Sequence, residues 1–121
     1  MKLIHHVTTT VVDVRRETPR ITVYELADPD GWELPPFTAG SHIDVFLDDR
    51  TVRQYSLCGT GGRPDRYRIA VQREEGGRGG SRAIHADWAP GTTVAVSLPR
   101  NTFHLRDGAD HRILVAGGIG I

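Results

Sequence analysis

The sequence predicts an all-β fold of the barrel or sandwich type. Short runs of β-branched residues, or of alternating apolar and polar residues, recur along the chain, and clusters of Pro, Gly and Asp separate them. Only one segment, residues 81–88, has apolar residues at helical spacing. The length of 121 residues and the hydrophobic content of 38% are those of one soluble domain with a core of its own.

The first half of the chain contains four strand patterns. Residues 7–14 (VTTTVVDV) and 21–26 (ITVYEL) are rich in β-branched residues, and Pro19 marks a turn between them. Residues 42–47 (HIDVFL) alternate in polarity. A DDR turn then leads into residues 51–57 (TVRQYSL), which predicts a hairpin.

Two more strand patterns follow, at residues 67–72 (YRIAVQ) and 93–98 (TVAVSL). Because successive side chains of a strand point to opposite faces, three of the strands each place three apolar side chains on one face. These are Ile43, Val45 and Leu47; Tyr67, Ile69 and Val71; and Val94, Val96 and Leu98.

The helix candidate and the last ten residues have different patterns from the strands. Ser81 can cap a helix over residues 81–88, in which Ile84 and Trp88 face inward. Residues 112–121 (RILVAGGIGI) are a continuous apolar run followed by glycines. That pattern is typical of a buried parallel strand that enters a Rossmann-type unit.

Charge and composition exclude several classes of protein. Lys and Arg total 15 and so do Asp and Glu, so the basic excess of a nucleic-acid-binding protein is absent. No apolar run is long enough to span a membrane, and the first residues lack the pattern of a signal peptide. The sequence therefore predicts a cytoplasmic protein without nucleic-acid or membrane partners.

The sequence does not favour a metal site. Its six histidines are scattered and show neither the helical nor the strand spacing of metal ligands. Cys58 is the only cysteine, which excludes an internal disulfide and a multi-cysteine cluster within this chain. A lone cysteine most often packs as a small apolar side chain.

Residues 74–82 (EEGGRGGSR) place four glycines before the helix candidate. Two interpretations fit this segment. A glycine-rich loop can simply be flexible, and the residues alone favour that interpretation. Alternatively, Gly79, Gly80 and Ser81 at the start of a helix offer backbone N–H groups and a hydroxyl to a phosphate, with Arg78 and Arg82 beside them.

A second candidate lies at the end of a predicted strand, at residues 53–57 (RQYSL). An edge strand with exposed alternate side chains is the simpler interpretation. The combination also suits a flat anionic ligand, because Arg53 can neutralise phosphate, Tyr55 can lie along a ring and Ser56 can hydrogen-bond to a ring atom.

These motifs form an ordered series with AVQRE, LPRNTFHL and AGGIGI. The series resembles the flavin-binding domain of the ferredoxin reductase superfamily, in the branch that includes phthalate dioxygenase reductase, vanillate demethylase reductases and the reductase module of self-sufficient P450 fusions. The resemblance extends over essentially the whole chain. It implies a six-stranded antiparallel Greek-key barrel with one short helix.

The resemblance implies a set of flavin-binding residues. Arg53 would meet the phosphate, Tyr55 would pack against the isoalloxazine ring and ribityl chain, and Ser56 would hydrogen-bond near the reactive edge of the ring. Tyr55 and Ser56 are therefore the candidate catalytic residues. The full candidate set is Arg53, Gln54, Tyr55, Ser56, Leu57, Ala70, Val71, Gln72, Arg73, Gly79, Gly80 and Ser81.

The same resemblance favours FMN over FAD, since the glycine loop would end at a single phosphate and no stretch is obviously suited to adenosine. It divides the chain into a flavin-binding barrel at residues 1–110 and, at 111–121, the first strand of a pyridine-nucleotide-binding domain. The NADH site and the [2Fe–2S] domain would belong to a longer parent protein.

Four functions follow, with the first preferred and the last least favoured. The first is the FMN domain of an NADH-dependent oxidoreductase, which would pass electrons through FMN to a [2Fe–2S] centre and on to an oxygenase or P450. This chain alone would be incomplete for that catalysis. The alternatives are an FAD domain of a ferredoxin–NADP reductase-like enzyme or a flavin-binding module without catalysis, and, last, a structural β domain.

Overall fold

The computed structural model describes residues 6–59, 61–62, 64–77 and 79–117. Within these residues the chain forms short and medium-length strands and one helix. They are β1 His6–Arg16, β2 Ile21–Ala27, β3 Phe37–Thr38, β4 Ser41–Phe46, β5 Val52–Ser56, β6 Gly61–Gly62, β7 Arg66–Gln72, α1 Gly80–Asp87, β8 Thr93–Ser97 and β9 Arg100–Asn101.

The main sheet is antiparallel, with the strand order β5-β4-β8-β1-β2-β7. β9 adds to β4, and β3 pairs separately with β6. β8 returns from late in the chain to lie between β1 and β4, which produces the crossed connections of a Greek key. The predicted six-stranded antiparallel fold with one short helix is confirmed.

The two outer strands of this order, β5 and β7, meet at one end only. Just beyond β5, the backbone N–H of Cys58 donates to the carbonyl of Arg68 in β7 at 2.9 Å. No other ladder pair joins β5 to β7 among the described residues. The barrel is therefore closed at this end. Along the rest of the boundary between β5 and β7, which we call the seam, the two strands are not paired.

The core lies inside the curved sheet and is formed by the alternate residues of its strands. Its fully buried apolar side chains include Val11, Tyr24, Leu26, Ile43, Val45, Tyr67, Ile69, Val71, Ile84 and Val96. One predicted member is wrong: Leu98 is 44% exposed. The reason is that β8 ends at Ser97, so the alternation that buries Val94 and Val96 does not continue.

The helix begins one residue earlier than predicted and is capped differently. Its N-cap is Gly79, with φ 89° and no side-chain capping bond. Glycine adopts this left-handed conformation without steric cost, so the chain turns into the helix without a side-chain cap. The prediction that Ser81 is the cap is therefore wrong, because Ser81 lies inside the helix and its Oγ accepts a hydrogen bond from the backbone N–H of Glu74 at 2.9 Å.

The inward face of the helix is as predicted. Ile84 is fully buried. Trp88 follows the last turn, where its N–H donates to the carbonyl of Ile84, and its ring packs edge-on against Tyr24 with centroids 5.2 Å apart. On the same helix, Nε2 of His85 donates to the carbonyl of Val71 at 2.8 Å and so ties α1 to β7.

The tail does not form the predicted strand over residues 112–117, the part that the structure describes. A strand needs hydrogen-bonded neighbours, and these residues have no ladder partner among the described strands. Ile113, Leu114 and Val115 are 91%, 84% and 91% exposed. Residues 118–121 lie outside the described residues, and so does Arg78, which was predicted to lie beside the phosphate. The division of the chain at residue 110 stays a prediction.

Candidate functional site

A cleft of about 340 Å³ opens where β5 and β7 separate, next to the start of α1. Its volume is at the lower end of the range for small-molecule sites. It is lined by Arg53, Gln54, Tyr55, Ala70, Gln72, Glu74, Gly77, Gly80 and Ser81.

The β5 wall follows from the register of the sheet. Tyr55 and Arg53 lie opposite Ile43 and Val45 of β4, so their side chains share the concave face with the core. Tyr55 packs at the edge of the core, and burial raises the pKa of its phenol. Its hydroxyl is therefore protonated near neutral pH and available as a donor.

The strand edges along the seam also line the cleft. Each strand of an antiparallel pair turns alternate backbone groups toward each neighbour, and β5 and β7 already use their other edges with β4 and β2. Backbone groups that would close the barrel therefore face the cleft, where a flat ligand with hydrogen-bonding edges can take the place of the absent ladder.

One corner of the cleft collects donors for an anion. The amides of Gly80, Ser81 and Arg82 in the first turn have no partner within the helix, because the first intrahelical bond runs from Ala83 N–H to the carbonyl of Gly79. The guanidinium group of Arg53 reaches this corner from β5 and is held by a bond from Nη1 to the carbonyl of Val52 at 2.9 Å.

Gly80 allows the arginine to come this close. A Cβ atom at residue 80 would lie 2.7 Å from Nε of Arg53 and 3.1 Å from its Cγ. Only glycine fits at that separation. The side chain of Arg53 therefore lies directly against the backbone of the first helical residue, and the positive charge adds to the positive end of the helix dipole. This donor set fits a phosphate group.

Ser81 and Glu74 join the loop to the helix at the same corner. The Oγ of Ser81 accepts from Glu74 N–H and keeps its own proton to donate. Glu74 brings a carboxylate to the cleft, and its charge is among the influences that raise the pKa of Tyr55. The cleft therefore contains a carboxylate besides the hydrogen-bond donors.

A second cleft, of about 460 Å³, lies on the other side of Gly79 and Gly80. Asp48 and Asp87 contribute carboxylates to it, and Trp88 forms part of its wall. Hydrogen bonds from the backbone of Arg50 and from Thr51 lower the pKa of Asp48, so this residue is ionised near neutral pH. The two clefts thus share Gly80 but differ in charge: Arg53 and Glu74 line the first, whereas the charged residues of the second are both acidic.

An apolar cleft of about 500 Å³ lies where the tail passes the loop before β4. Phe103, Leu105, Ile113 and Leu114 contribute most of its apolar surface, and Phe103 is 83% exposed. Within the described residues, no three His, Cys, Asp or Glu side chains are grouped so that they could hold a metal ion. The helix in that part of the chain is too short to cross a membrane.

Comparison with curated proteins identifies relatives among oxygenase reductases. The chain is 52% identical over 101 residues to the reductase subunit of the tert-butanol monooxygenase / tert-amyl alcohol desaturase of Aquincola tertiaricarbonis, covering 84% of this chain and 30% of that protein. It is 50% identical over 98 residues to phthalate dioxygenase reductase of Burkholderia cepacia (81% and 30% covered). It is 44% identical over 108 residues to vanillate O-demethylase oxidoreductase of Acinetobacter baylyi (89% and 34% covered). The chain spans about a third of the length of these relatives. No family model matches it.

Solved structures agree with these relatives. Phthalate dioxygenase reductase, described as a modular structure for electron transfer from pyridine nucleotides to [2Fe–2S], matches with a TM-score of 0.80 and 39% identity, over 84% of this chain and 32% of that one. The chain is a ferredoxin reductase-like flavin domain. Full-length CYP116B46 from Tepidiphilus thermophilus matches this flavin domain with a TM-score of 0.82 and 41% identity, over 86% and 14% of the two chains.

The structure of the flavin domain brings most of the predicted site residues together. Arg53, Gln54, Tyr55, Ala70, Gln72, Gly80 and Ser81 line the cleft. Gly79 precedes them as the helix cap and borders the second cleft. Ser56 is the next residue along β5 and is exposed.

Three predicted residues lie away from the cleft. Leu57 is 7% exposed and Val71 is fully buried, so both belong to the core. Arg73 points to solvent, where its guanidinium pairs with Glu75 at 2.6 Å. These residues can act on the site only through their backbone or through packing.

Two residues of the cleft, Glu74 and Gly77, are absent from the predicted set. Both lie in the segment between β7 and α1, whose glycines drew attention to the loop. The sequence signal was therefore present, but only the hydrogen bond from Glu74 N–H to Ser81 shows which way the loop folds.

Proposed function

We propose that this chain binds FMN in the cleft between β5 and β7, with the phosphate at the start of α1. One observation carries the proposal: Arg53, Ser81 and the first-turn amides converge on one end of a cleft, and Tyr55 lies further along the β5 wall that also carries Arg53. Helix N-termini with an adjacent arginine are effective phosphate sites.

The isoalloxazine ring would occupy the seam. Tyr55 would pack against the ring and ribityl chain, and the backbone edges of Ala70 and Gln72 would meet its hydrogen-bonding side. Ser56 would hydrogen-bond near the reactive edge. The bound flavin would supply hydride and single-electron chemistry, while these residues hold and orient it.

The charge of the second cleft supports FMN over FAD. A second phosphate that extended past Gly79 and Gly80 would meet the carboxylates of Asp48 and Asp87. Like charges at that point oppose a diphosphate. The Asp48→Asn/Asp87→Asn variant should therefore bind FAD more tightly relative to FMN, whereas Asp65→Asn, which lines neither cleft, should leave the ratio unchanged.

The relatives support a role for the longer protein. They are reductases of oxygenase systems, and one solved relative transfers electrons from pyridine nucleotides to [2Fe–2S]. The parent of this chain would accept hydride from NADH and pass single electrons to a [2Fe–2S] centre and then to an oxygenase or P450. The cytoplasmic location remains a prediction from the sequence.

Titration of the purified chain with FMN, FAD and riboflavin tests the proposal through flavin fluorescence. FMN should bind most tightly and Arg53→Ala should weaken it. Tighter binding of FAD would instead favour a ferredoxin–NADP reductase-like domain. NADH-dependent dye reduction tests the catalytic assignment. The chain alone should not catalyse it, whereas the parent protein should; an inactive parent that binds FMN would point to a flavin-binding module without catalysis.

A further inference from the structure

The contact between Gly80 and Arg53 links the two halves of the proposed phosphate corner. Gly80 is the first residue of α1 and is buried. Arg53 is on β5, and no local sequence signal connects the two. The hypothetical Cβ at residue 80 would meet Nε, Cγ and Cδ of Arg53 at 2.7, 3.1 and 3.3 Å. The clash would therefore involve most of the side chain rather than its tip.

We infer that Gly80 is a positioning residue, which lets Arg53 lie across the start of α1 so that its guanidinium and the first-turn amides face the same phosphate. The inference rests on the proposed function. A methyl group at residue 80 would displace the arginine, because Cβ contacts under 3.0 Å do not occur in real structures. The three atoms all belong to the side chain of Arg53 and none to the backbone, so it is the arginine side chain that has to move.

The effect of a substitution should therefore separate binding from stability. Alanine favours helix more than glycine does, and the φ angle of Gly80 is not left-handed, so the backbone at residue 80 can accommodate alanine. Gly80→Ala should therefore still fold, with a thermal midpoint close to that of the wild type, while it removes the arginine from the phosphate. If Gly80 had only a structural role, its substitution would instead lower the thermal midpoint and leave the preference for the phosphate-bearing flavin unchanged.

Gly76 provides the matched control. It lies in the same loop, has no atom within 4 Å of a hypothetical Cβ and has no left-handed φ. Gly76→Ala adds the same methyl group to the same segment without approaching Arg53. Gly79 is unsuitable, because its φ of 89° would strain any side chain.

The experiment compares FMN with riboflavin, which lacks the phosphate, for the wild type, Gly80→Ala, Gly76→Ala, Arg53→Ala and the double variant Arg53→Ala/Gly80→Ala. In the wild type FMN should bind more tightly than riboflavin. Gly80→Ala should reduce this preference about tenfold or more, as expected for loss of a charge-assisted hydrogen bond. Gly76→Ala should retain it. In the Arg53→Ala background the second substitution should cause no further loss.

Each other outcome has a distinct meaning. An unchanged FMN preference in Gly80→Ala overturns the positioning role but leaves FMN binding intact. Equal weakening of FMN and riboflavin also overturns it, since the phosphate would not be involved. If Gly80→Ala does not fold, the double variant Arg53→Ala/Gly80→Ala must fold, because it lacks the side chain that the new methyl group would meet. If neither variant folds, the contact with Arg53 is excluded as the cause of the failure to fold. A wild type that binds no flavin overturns the proposed function and this inference together.

Discussion

Ser81 makes two separable contributions, and a matched pair of substitutions can measure both. Its Oγ accepts a hydrogen bond from Glu74 N–H at 2.9 Å, which stabilises the loop, and its hydroxyl proton is free to reach a phosphate. Ser97 accepts a similar bond from Asp44 N–H at 2.9 Å on β8, outside the flavin cleft, and its hydroxyl donates to the carbonyl of Leu98 at 3.0 Å. Ser81→Ala and Ser97→Ala therefore each remove a bond from a backbone N–H to a serine Oγ, and Ser97→Ala also removes the bond to Leu98.

Ser81→Ala should lose about 1 kcal/mol of unfolding free energy, the usual net value of such a bond, and Ser97→Ala should lose at least as much. For a domain of this size the loss lowers the thermal midpoint by roughly 4 °C. Only Ser81→Ala should weaken FMN, by about tenfold or more, because hydrogen bonds to charged groups are worth about 1.5–3 kcal/mol. Riboflavin binding should change little in either variant.

The assay combines thermal unfolding of the flavin-free proteins with fluorescence titrations of FMN and riboflavin. The loop bond and the phosphate bond then appear as separate quantities. Equal FMN affinities for the Ser81→Ala and Ser97→Ala variants would refute the reasoning, because the helix start would then contribute no side-chain donor to the phosphate.

Three further predictions concern the fold. Ile84→Ala should lower the unfolding free energy by about 3 kcal/mol and Ile84→Val by about 1 kcal/mol, since Ile84 is fully buried on the inward face of α1. Equal denaturation midpoints for Ile84→Ala and the wild type would contradict this packing. Burial raises the pKa of the Tyr67 phenol, whose hydroxyl donates to the carbonyl of Pro35 at 2.5 Å. The free energy of unfolding should therefore fall as the pH rises above about 10, the pKa of a tyrosine in the unfolded chain. Denaturation at a series of pH values should show a smaller fall for Tyr67→Phe. A chain ending at Asp110 should self-associate less than the full chain in size-exclusion chromatography, because Ile113, Leu114 and Val115 are largely exposed, and identical elution of the two would contradict a role for the tail.

The strands were predictable because their signals are local. The alternation of Tyr67, Ile69 and Val71 identifies the buried face of β7, and the DDR turn places β4 and β5 in a hairpin. Leu98 was mispredicted because alternation alone does not show where a strand ends. Ser81 was mispredicted as a cap because glycine at residue 79 performs that turn without a side chain.

The arrangement of the cleft was less accessible to sequence reasoning. The motif around Arg53 and the glycine loop each had a plain alternative, and only their combination and order indicated a flavin site. The split seam between β5 and β7 depends on pairing between distant segments, which no local pattern records. The contact of Arg53 with Gly80 is likewise visible only in three dimensions.

The most direct test of the account is the visible absorption spectrum of the purified chain after incubation with FMN and removal of free flavin, followed by mass spectrometry of what heat releases. The account predicts a flavin spectrum, one flavin per chain, and the mass of FMN. A folded chain that stays colourless would contradict it.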